Sequence, residues 1–182
     1  MDERKWIERI LAGDTQSFSC LVAKYEKMAY TIALRILENR EEAEEAVQDA
    51  FVKMYRALSD FHFDSKFSTW FYRIVYRTAL TALRQQRMFV SYEEAGPVDL
   101  SNDEVESATA LLEREDRKEM IARTLKKLPA DEALLLTLYY LEECSVEEIC
   151  QITELSASNV KVKLFRGRKR FYEVLQDKMK LE

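Results

Sequence analysis

Hydrophobic and polar positions alternate along the chain with the period of amphipathic helices. Apolar side chains recur every three or four residues over residues 18–36, and the same spacing returns over residues 43–58 and 70–82. Each stripe is typical of a helix that buries one face. A shorter helix is expected at residues 6–11. Together these segments predict a first helical domain spanning residues 1–88.

Polar residues between the stripes predict where the helices begin. Asn39, with Glu42 three residues later, is a start that resembles a capping box. Residues 60–67 interrupt the pattern and are expected to form a loop. Ser68 or Thr69 is the expected cap of the helix that follows.

Helical patterning returns in the second half of the chain. Helices are expected over residues 107–127 and around residues 134–141. Ser145, with Glu148 three residues on, forms a capping box that opens a short helix, and after a three-residue turn Ser156 caps a long last helix.

The segment between the two helical sets has a different composition. Residues 89–106 contain a Gly-Pro pair and sustain no helical stripe, which predicts a mobile linker. We therefore expect an all-α fold of two small helical domains, residues 1–88 and 107–182, joined by a flexible acidic linker.

Composition supports this fold class. Among 182 residues there are only 3 glycines and 2 prolines, too few for the turns of a β-rich fold, while 47% of residues are hydrophobic and can build a core. No apolar run approaches the roughly 20 residues of a membrane span. The N-terminus lacks an apolar signal core, and the three cysteines are scattered. These features predict a cytoplasmic protein with reduced thiols and no membrane insertion.

Charge is distributed in blocks, although the net charge is −5. Residues 38–49 hold six acidic side chains and one basic one, and residues 91–116 have a net charge of −8. Residues 66–87 hold five basic side chains and no acidic one, and residues 155–182 have a net charge of +5. Because local fields decay over about 10 Å, the two basic surfaces can bind polyanions despite the acidic total.

The strongest local signal is a helix-turn-helix pattern over residues 145–170. In such a unit the first helix braces the second, whose early turns enter the major groove. The residues expected on or near that exposed face are Ser158, Asn159, Lys161, Val162, Lys163 and Arg166. Arg168, Lys169 and Arg170 are expected to meet phosphates. The alternative is a solvated basic face on an ordinary two-helix hairpin.

A second signal is the mixture of aromatic and basic residues from residue 61 to residue 87. The aromatic candidates for DNA binding are Phe61, Phe63, Phe67, Trp70 and Tyr76, and the basic candidates are Lys66, Arg73, Arg77 and Arg84. Rings can stack on unpaired bases, worth about 1–3 kcal/mol per base, so the segment suits single-stranded DNA. The alternative is that most of these rings are core. For Phe71 and Ile74 we expect the core, and for residues 61–67 both possibilities remain.

The acidic block at residues 38–49 is either a solvated helix face or a surface that meets a basic partner. Catalysis has little support, because His62 is the only histidine and no clustered His, Cys or spaced carboxylates form a convincing metal site or triad. No glycine-rich phosphate loop is present. We therefore expect no catalytic residues, no metal and no cofactor.

Three motifs, read in order, resemble the extracytoplasmic-function (ECF) group of bacterial RNA polymerase sigma factors. They are AEEAVQDAF at residues 43–51, FSTWFYRI at residues 67–74, and SVEEI at residues 145–149 with NVKVKL and RGRKR at residues 159–164 and 166–170. The resemblance covers nearly the whole chain, with the two domains and the length of the family.

The resemblance implies a transcription initiation factor that is not an enzyme. In the family, the helix matching residues 41–55 binds the β′ clamp of core RNA polymerase, which here implicates Glu41, Glu44, Glu45, Gln48 and Asp49. The segment matching residues 60–87 recognises and melts the −10 promoter element. The helix matching residues 156–170, from Ser156 onward, reads the −35 element, and its domain touches the β flap. Such proteins are commonly held inactive by an anti-sigma factor.

The chain departs from the family pattern at four positions. Glu45 stands where Asp is usual, which keeps the charge. Arg77 and Thr81 replace a usual Asn and Asp in the DNA-facing helix of the first domain. Glu154 replaces the usual glycine in the turn before the last helix.

Two rival interpretations remain at this level. A sigma-like mimic could sequester an anti-sigma factor without touching DNA, although it would not need a basic recognition helix. A stand-alone helix-turn-helix regulator would leave the aromatic and basic segment of the first domain unexplained.

Overall fold

The computed structural model describes residues 3–90 and 112–179, and within them the fold is all-helical, as predicted. The α-helices are α1 (Glu3–Leu11), α2 (Thr15–Leu37), α3 (Arg40–Arg56), α4 (Phe67–Val90), α5 (Leu112–Lys126), α6 (Ala130–Tyr140), α7 (Val146–Thr153) and α8 (Ala157–Met179). A short 3₁₀ helix, Leu58–Asp60, follows α3.

Helices α2, α3 and α4 pack together as a first bundle, with α1 lying on α2. Its fully buried side chains include Leu21, Ile32, Met54 and Phe71. The rings of Phe51 and Phe71 lie 4.8 Å apart between centroids. Burying such a side chain contributes about 1.5–3 kcal/mol, so the inward stripes predicted from the sequence hold this bundle together.

Helices α6, α7 and α8 form a second bundle, with α5 against α8 and α6. Leu135, Leu138, Ile149 and Val160 are fully buried in it. Gly167 lets α8 approach α6 closely, because a Cβ atom at this position would lie 3.2 Å from Leu136 Cδ1. The close approach fixes the position of α8 on the body of the bundle.

The helix-turn-helix boundaries are those predicted. Ser145 Oγ accepts a hydrogen bond from the Glu148 N–H at 3.1 Å, and Glu148 Oε2 accepts one from the Ser145 N–H at 2.8 Å, which completes the capping box. Ser156 Oγ accepts from the Asn159 N–H at 3.3 Å and caps α8. The sequence therefore encodes both helix starts locally.

One predicted start differs from the structure, and at a second the predicted cap is present but its reciprocal hydrogen bond is not. Helix α4 begins at Phe67 rather than after Ser68 or Thr69, because the buried Phe67 ring anchors the first turn and Thr69 is itself buried. Asn39 caps α3 by accepting from the Glu42 N–H at 3.2 Å. The Glu42 carboxylate instead accepts a 3.0 Å hydrogen bond from Gln86 Nε2 on α4.

Only the start of the predicted linker lies among the described residues. Helix α4 extends to Val90, two residues into the predicted linker at 89–106, and the remainder of that segment lies outside the described residues. The predicted start of α5 at residue 107 also lies outside them.

The two bundles contact each other directly. Helix α7 packs against α4, and α6 packs against α2. Arg35 Nη1 on α2 donates to the backbone oxygen of Leu125 on α5 at 3.3 Å. This arrangement places the first helix of the helix-turn-helix unit on the aromatic and basic helix of the first bundle.

Candidate nucleic-acid and partner interfaces

The outward face of α8 is defined by the side that packs inward. Val160 and Leu164 are buried against the second bundle. Ser158, Lys161 and Arg166 are exposed on other sides of the same turns. The −35 candidates that the structure leaves exposed are Ser156, Ser158, Asn159, Lys161, Val162, Arg166, Arg168, Lys169 and Arg170. The early turns of α8 thus offer hydroxyl, amide and cationic groups to a ligand.

An exposed apolar pair, Val162 and Phe165, lies on the same face. The sequence analysis above names Val162 as a candidate but not Phe165. Phe165 is 63% exposed and Val162, three residues before it, is 46% exposed. Residues three apart are neighbours on a helix surface, and apolar groups of a recognition helix contact the methyl group of thymine. Phe165 could have been found from its spacing, because it lies opposite the buried line of Val160 and Leu164.

Two basic residues of the −35 set form ion pairs with α6, and a third, Arg168, donates to the Tyr140 hydroxyl at 3.4 Å. Lys163 is only 32% exposed and forms an ion pair with Asp131. Arg170 Nη1 lies 3.5 Å from Oε2 of the buried Glu132. Burial alone would raise the pKa of Asp131, but the Lys163 ammonium and the Glu132 N–H outweigh it and hold that pKa below its usual value. These contacts anchor the helix, a role that spacing alone does not reveal.

The loop before α4 exposes one of its three predicted rings. Phe61 and Phe67 are buried, so of the two possibilities left open for residues 61–67 the core position is the correct one for both rings. They complete an aromatic cluster in which the Phe61 and Trp70 centroids are 5.0 Å apart and those of Tyr25 and Phe67 are 5.3 Å apart. The two rings therefore complete the apolar core between the helices that flank the loop.

Phe63 is the exposed ring of the loop, at 40% exposure. Its backbone has a φ of 61°, in the left-handed region that bulky residues rarely adopt. The guanidinium carbon of Arg4 lies 4.8 Å from the ring centroid, close enough for a cation–π contact. Strained, exposed side chains of this kind often mark binding sites.

The basic side of α4 faces carboxylates of the second bundle. Lys66 Nζ lies 3.0 Å from Glu148 Oε1, and Arg77 Nε donates to Glu154 Oε1 at 2.8 Å. Among the other −10 candidates, Arg84 is exposed, whereas Trp70, Arg73 and Tyr76 are half-buried. The proximity of the second bundle to these residues was not visible in the sequence.

The acidic candidates on α3 lie together on its surface. All five are exposed, namely Glu41, Glu44, Glu45, Gln48 and Asp49. Val52 and Tyr55 extend the same side of the helix and are 48% and 49% exposed. An apolar pair beside a carboxylate cluster is suited to a protein partner with a basic surface. Tyr55 belongs to the apolar stripe over residues 43–58, yet it does not face the core.

An apolar groove lies on the second bundle between α6 and α8. It encloses about 450 Å³, and Leu136, Tyr140, Leu141, Phe171 and Tyr172 are among its lining residues. Leu141 and Tyr172 are more than half exposed there. Exposed apolar side chains that line one groove are a candidate surface for a protein contact.

Neither a metal site nor a membrane span emerges from the described part of the chain. Across residues 3–90 and 112–179 no group of three or more His, Cys, Asp or Glu side chains could hold a metal ion. In the same ranges no helix is long and apolar enough to cross a membrane.

Fold and surfaces together define a class of protein. The first bundle has an acidic face and a helix rich in aromatic and basic residues. The second has a helix-turn-helix unit whose last helix is basic and faces outward. Together they are typical of a DNA-binding transcription factor with more than one macromolecular contact. The family description "Sigma-70 region 2" matches residues 21–88, and "Sigma-70, region 4" matches residues 118–171.

Relatives of known name support the same class. The chain is 32% identical to the RNA polymerase sigma-H factor of Pseudomonas aeruginosa, over 96% of this chain and 94% of that protein. It is 31% identical to the ECF RNA polymerase sigma-E factor of Escherichia coli, over 89% of this chain and 88% of that protein. The chain belongs to the sigma-70 family and, within it, to the ECF group of sigma factors. It directs promoter-specific transcription initiation, with core RNA polymerase and promoter DNA as its partners.

Solved structures show the same fold at lower identity. CnrH in complex with the cytosolic domain of CnrY is similar with a TM-score of 0.60 and 23% identity, covering 96% of this chain and 97% of that one. The sigma factor RpoE in complex with the anti-sigma factor NepR from Bartonella quintana gives a TM-score of 0.69 at 18% identity, covering 89% and 98%.

Proposed function

We propose that this sigma factor reads the −35 element with the outward face of α8. The observation that carries the proposal is the exposed set of Ser158, Asn159, Lys161 and Arg166, joined by Val162 and Phe165 at the centre of that face. Arg168 and Lys169 are one to three turns further on and suit phosphates. Lys163 and Arg170 contribute mainly by holding α8 on α6.

The −10 element is assigned to α4 and the loop before it. Arg73, Arg77 and Arg84 supply positive charge along the helix, and Phe63 offers an exposed ring to a base turned out of the stack. Unstacking a base costs a few kcal/mol, which ring stacking and pocket contacts offset. Lys66, Trp70 and Tyr76 lie beside this surface, while the buried Phe61 and Phe67 support it from within.

Core polymerase is assigned two contacts. The exposed carboxylates of α3, with Val52 and Tyr55, fit the β′ clamp, and the apolar groove on the second bundle fits the β flap. The α3 surface combines apolar area with polar groups, and the groove offers mainly apolar side chains, which are typical of the core of a stable protein interface. The domain boundaries 1–88, 89–106 and 107–182 follow this division of labour.

Regulation and location follow from the same assignment. The two similar structures contain CnrY and the anti-sigma factor NepR as partners of their sigma factors. By analogy an anti-sigma factor holds this chain inactive in the bacterial cytoplasm. The chain acts through binding and is not an enzyme.

Run-off transcription with core polymerase on a promoter library tests the proposal. The chain should produce initiation from a defined subset of templates, and core polymerase without the chain should not. A sigma-like mimic, which sequesters an anti-sigma factor, would give no specific product on any template. A stand-alone regulator would bind duplex DNA specifically without requiring core polymerase.

A further inference from the structure

Helix α1 is firmly held beside the loop that precedes α4. Ile7 and Ile10 of α1 are buried, and the helix packs against α2 and the short 3₁₀ helix. In its first turn, the Glu3 carboxylate accepts hydrogen bonds from Lys24 Nζ and Tyr25 OH on α2. The side chain that follows Glu3 is therefore carried by an anchored helix start.

That side chain, Arg4, covers the exposed ring of the loop. Its guanidinium carbon lies 4.8 Å from the Phe63 ring centroid. The Phe63 and Phe61 centroids are 4.7 Å apart, and those of Phe61 and Trp70 are 5.0 Å apart. A row of three rings thus runs from α4 through the loop to α1, with a cation at its outer end.

The outer end of this row is open to solvent. Phe63 is 40% exposed, and the side chain of Arg4 is 63% exposed. Arg4 Nε lies 3.3 Å from Oε1 of Glu8, one turn further along α1, and the Glu8 side chain is 61% exposed. Because an exposed ion pair contributes little, Arg4 can exchange this carboxylate for another anion at little cost.

A ring beside a cation is the combination that a single-stranded nucleotide requires. Aromatic rings stack on the bases, and basic side chains follow the phosphates. One sugar joins a base to its phosphate, so a cation that touches the ring is within reach of the phosphate when a base stacks there. Arginine suits this position, because its planar guanidinium stacks on aromatic faces and also binds phosphate with two parallel hydrogen bonds.

Arg4 lies outside the segment that the sequence pattern and the family description assign to DNA. The −10 candidates predicted from the sequence begin at Phe61, and the match to Sigma-70 region 2 begins at residue 21, after α1 has ended at Leu11. Arg4 and Phe63 are far apart in the sequence, so only tertiary packing brings them together.

We propose that Arg4 is a DNA-binding residue of the first bundle and that its guanidinium binds the phosphate of the −10 nucleotide whose base stacks on Phe63. The inference rests on the proposed function of this loop and α4 at the −10 element. In the free chain the guanidinium covers the ring, and it moves to the phosphate as the base arrives. Helix α1 is then part of the surface that receives the non-template strand.

The test measures how tightly polymerase holoenzyme, assembled with the full-length chain, binds a fluorescent DNA single strand. The probe is the non-template strand of the −10 element from a promoter selected in the run-off assay. Fluorescence anisotropy is recorded over a range of salt concentrations for the unmodified chain, Arg4→Ala and Arg4→Lys. The matched control is Lys5→Ala, which removes one positive charge from the next exposed position of α1.

A phosphate contact changes both the affinity and its salt dependence. We expect Arg4→Ala to bind the strand several-fold more weakly and to reduce the slope of log affinity against log salt by about 0.7, the value for one phosphate on a single strand. Arg4→Lys keeps the charge but loses the planar fork, so its affinity should fall while its slope stays unchanged. Lys5→Ala should match the unmodified chain in both quantities.

The results distinguish a phosphate contact from a purely structural role. Weaker binding by Arg4→Ala with an unchanged slope would mean that Arg4 only positions Phe63, which would overturn the proposal, and unchanged affinity would overturn it too. An equal fall in slope for Lys5→Ala would also do so, because the effect would then come from net charge rather than from this position.

Two further variants test the −10 assignment on which the proposal rests. They are Phe63→Ala in the loop and Arg84→Ala at an exposed position of α4. If both bind the strand as tightly as the unmodified chain, the −10 function of the loop and α4 fails. If both bind it more weakly while Arg4→Ala binds it normally, the −10 function stands and only the role of Arg4 is rejected.

Discussion

At the scale of single residues, the recognition helix separates base-reading side chains from anchoring ones. Asn159 lies in the first turn of α8 and is exposed, whereas Lys169 lies three turns on, is also exposed, and has its Nζ 4.0 Å from Glu173 Oε1. Base contacts specify a sequence, and phosphate contacts position the protein without reading it. Removing the Asn159 side chain should therefore change sequence specificity, whereas removing the Lys169 side chain should change overall affinity.

We expect Asn159→Ala to cost about 1–3 kcal/mol of promoter binding and to relax preference at one position of the −35 element. Lys169→Ala should weaken binding to all promoters about equally and reduce its salt dependence. A binding selection on randomised −35 sequences with polymerase holoenzyme measures both. Identical specificity profiles for the two variants would contradict the division of roles.

A second residue-scale prediction concerns strand opening by Phe63. Phe63→Ala removes the exposed ring of the loop, so we expect normal closed-complex formation but reduced permanganate reactivity of thymines at −10. Phe165→Ala is the matched control, since it removes an exposed ring from the other bundle and should act on −35 binding instead. Full reactivity in Phe63→Ala would leave the basic residues of α4 as the main contacts there.

A third prediction tests the strained helix end at Glu38. Glu38 ends α2 with a φ of 55°, and its N–H donates to the Leu34 oxygen at 2.9 Å. Glycine adopts this conformation without steric cost, so Glu38→Gly should raise the free energy of unfolding by about 1 kcal/mol. Glu44→Gly, inside α3, should instead lower the free energy of unfolding, by up to about 1 kcal/mol, because glycine is a poor helix former. Chemical denaturation gives both values, and a loss of stability at Glu38 would refute the strain.

Much of the site at this scale was readable from the sequence, and the rest depended on packing. The basic character of α8 and the acidic character of α3 follow from residue type and spacing. The burial of Phe61 and Phe67 does not, because an interrupted pattern looks the same whether a loop ring turns inward or outward. The ties from Lys163 and Arg170 to α6 depend on tertiary approach, which no local pattern contains.

At the scale of elements, each helix presents one face to the core and another to a partner. Helix α3 buries Ala43, Val47 and Met54 and exposes its carboxylates with Val52 and Tyr55. Helix periodicity predicted the inward side well. The start of α4 was misplaced because a buried Phe67, rather than a polar cap, anchors its first turn.

Charge reversal on α3 tests its outward face. Glu45→Lys or Asp49→Lys should weaken binding to core polymerase, because either change places positive charge against the basic surface expected of the clamp. Both residues are exposed, so circular dichroism should show an unchanged helical fold. Glu26→Lys on the exposed side of α2 is the control. If all three variants pull down core enzyme equally well, the acidic residues of α3 do not bind the polymerase and form only a solvated helix face.

At the scale of the whole molecule, two buried phenols make stability depend on alkaline pH. Burial raises the pKa of Tyr25, and hydrogen bonding to Glu3 adds to it. Burial likewise raises the pKa of Tyr72, to which the charge of Glu142 and the hydrogen bond to it contribute. Both phenols keep their protons in the folded state at a pH where an unfolded chain loses them.

The sign of the pH effect follows from that difference. Unfolded tyrosine ionises near pH 10, so stability is fully present below pH 10 and falls above it by up to about 1.4 kcal/mol per pH unit for each phenol. Urea unfolding followed across this range, together with tyrosinate absorbance, measures the loss. Tyr72→Phe should reduce the slope. A slope unaffected by that change would show that Tyr72 does not contribute.

The attachment of α8 to α6 has a consequence for how promoter preference can change. Lys163 and Arg170 pair with carboxylates of α6, and Gly167 lies so close to α6 that a side chain there would displace Leu136, so these three positions of the helix hold it on α6. Ser158, Asn159, Val162 and Phe165 carry no such commitment. A change of promoter preference, natural or engineered, should therefore be reached by varying these four positions while Lys163, Gly167 and Arg170 stay constant. The DNA sequence that α8 reads can then change without a change in how α8 packs on α6.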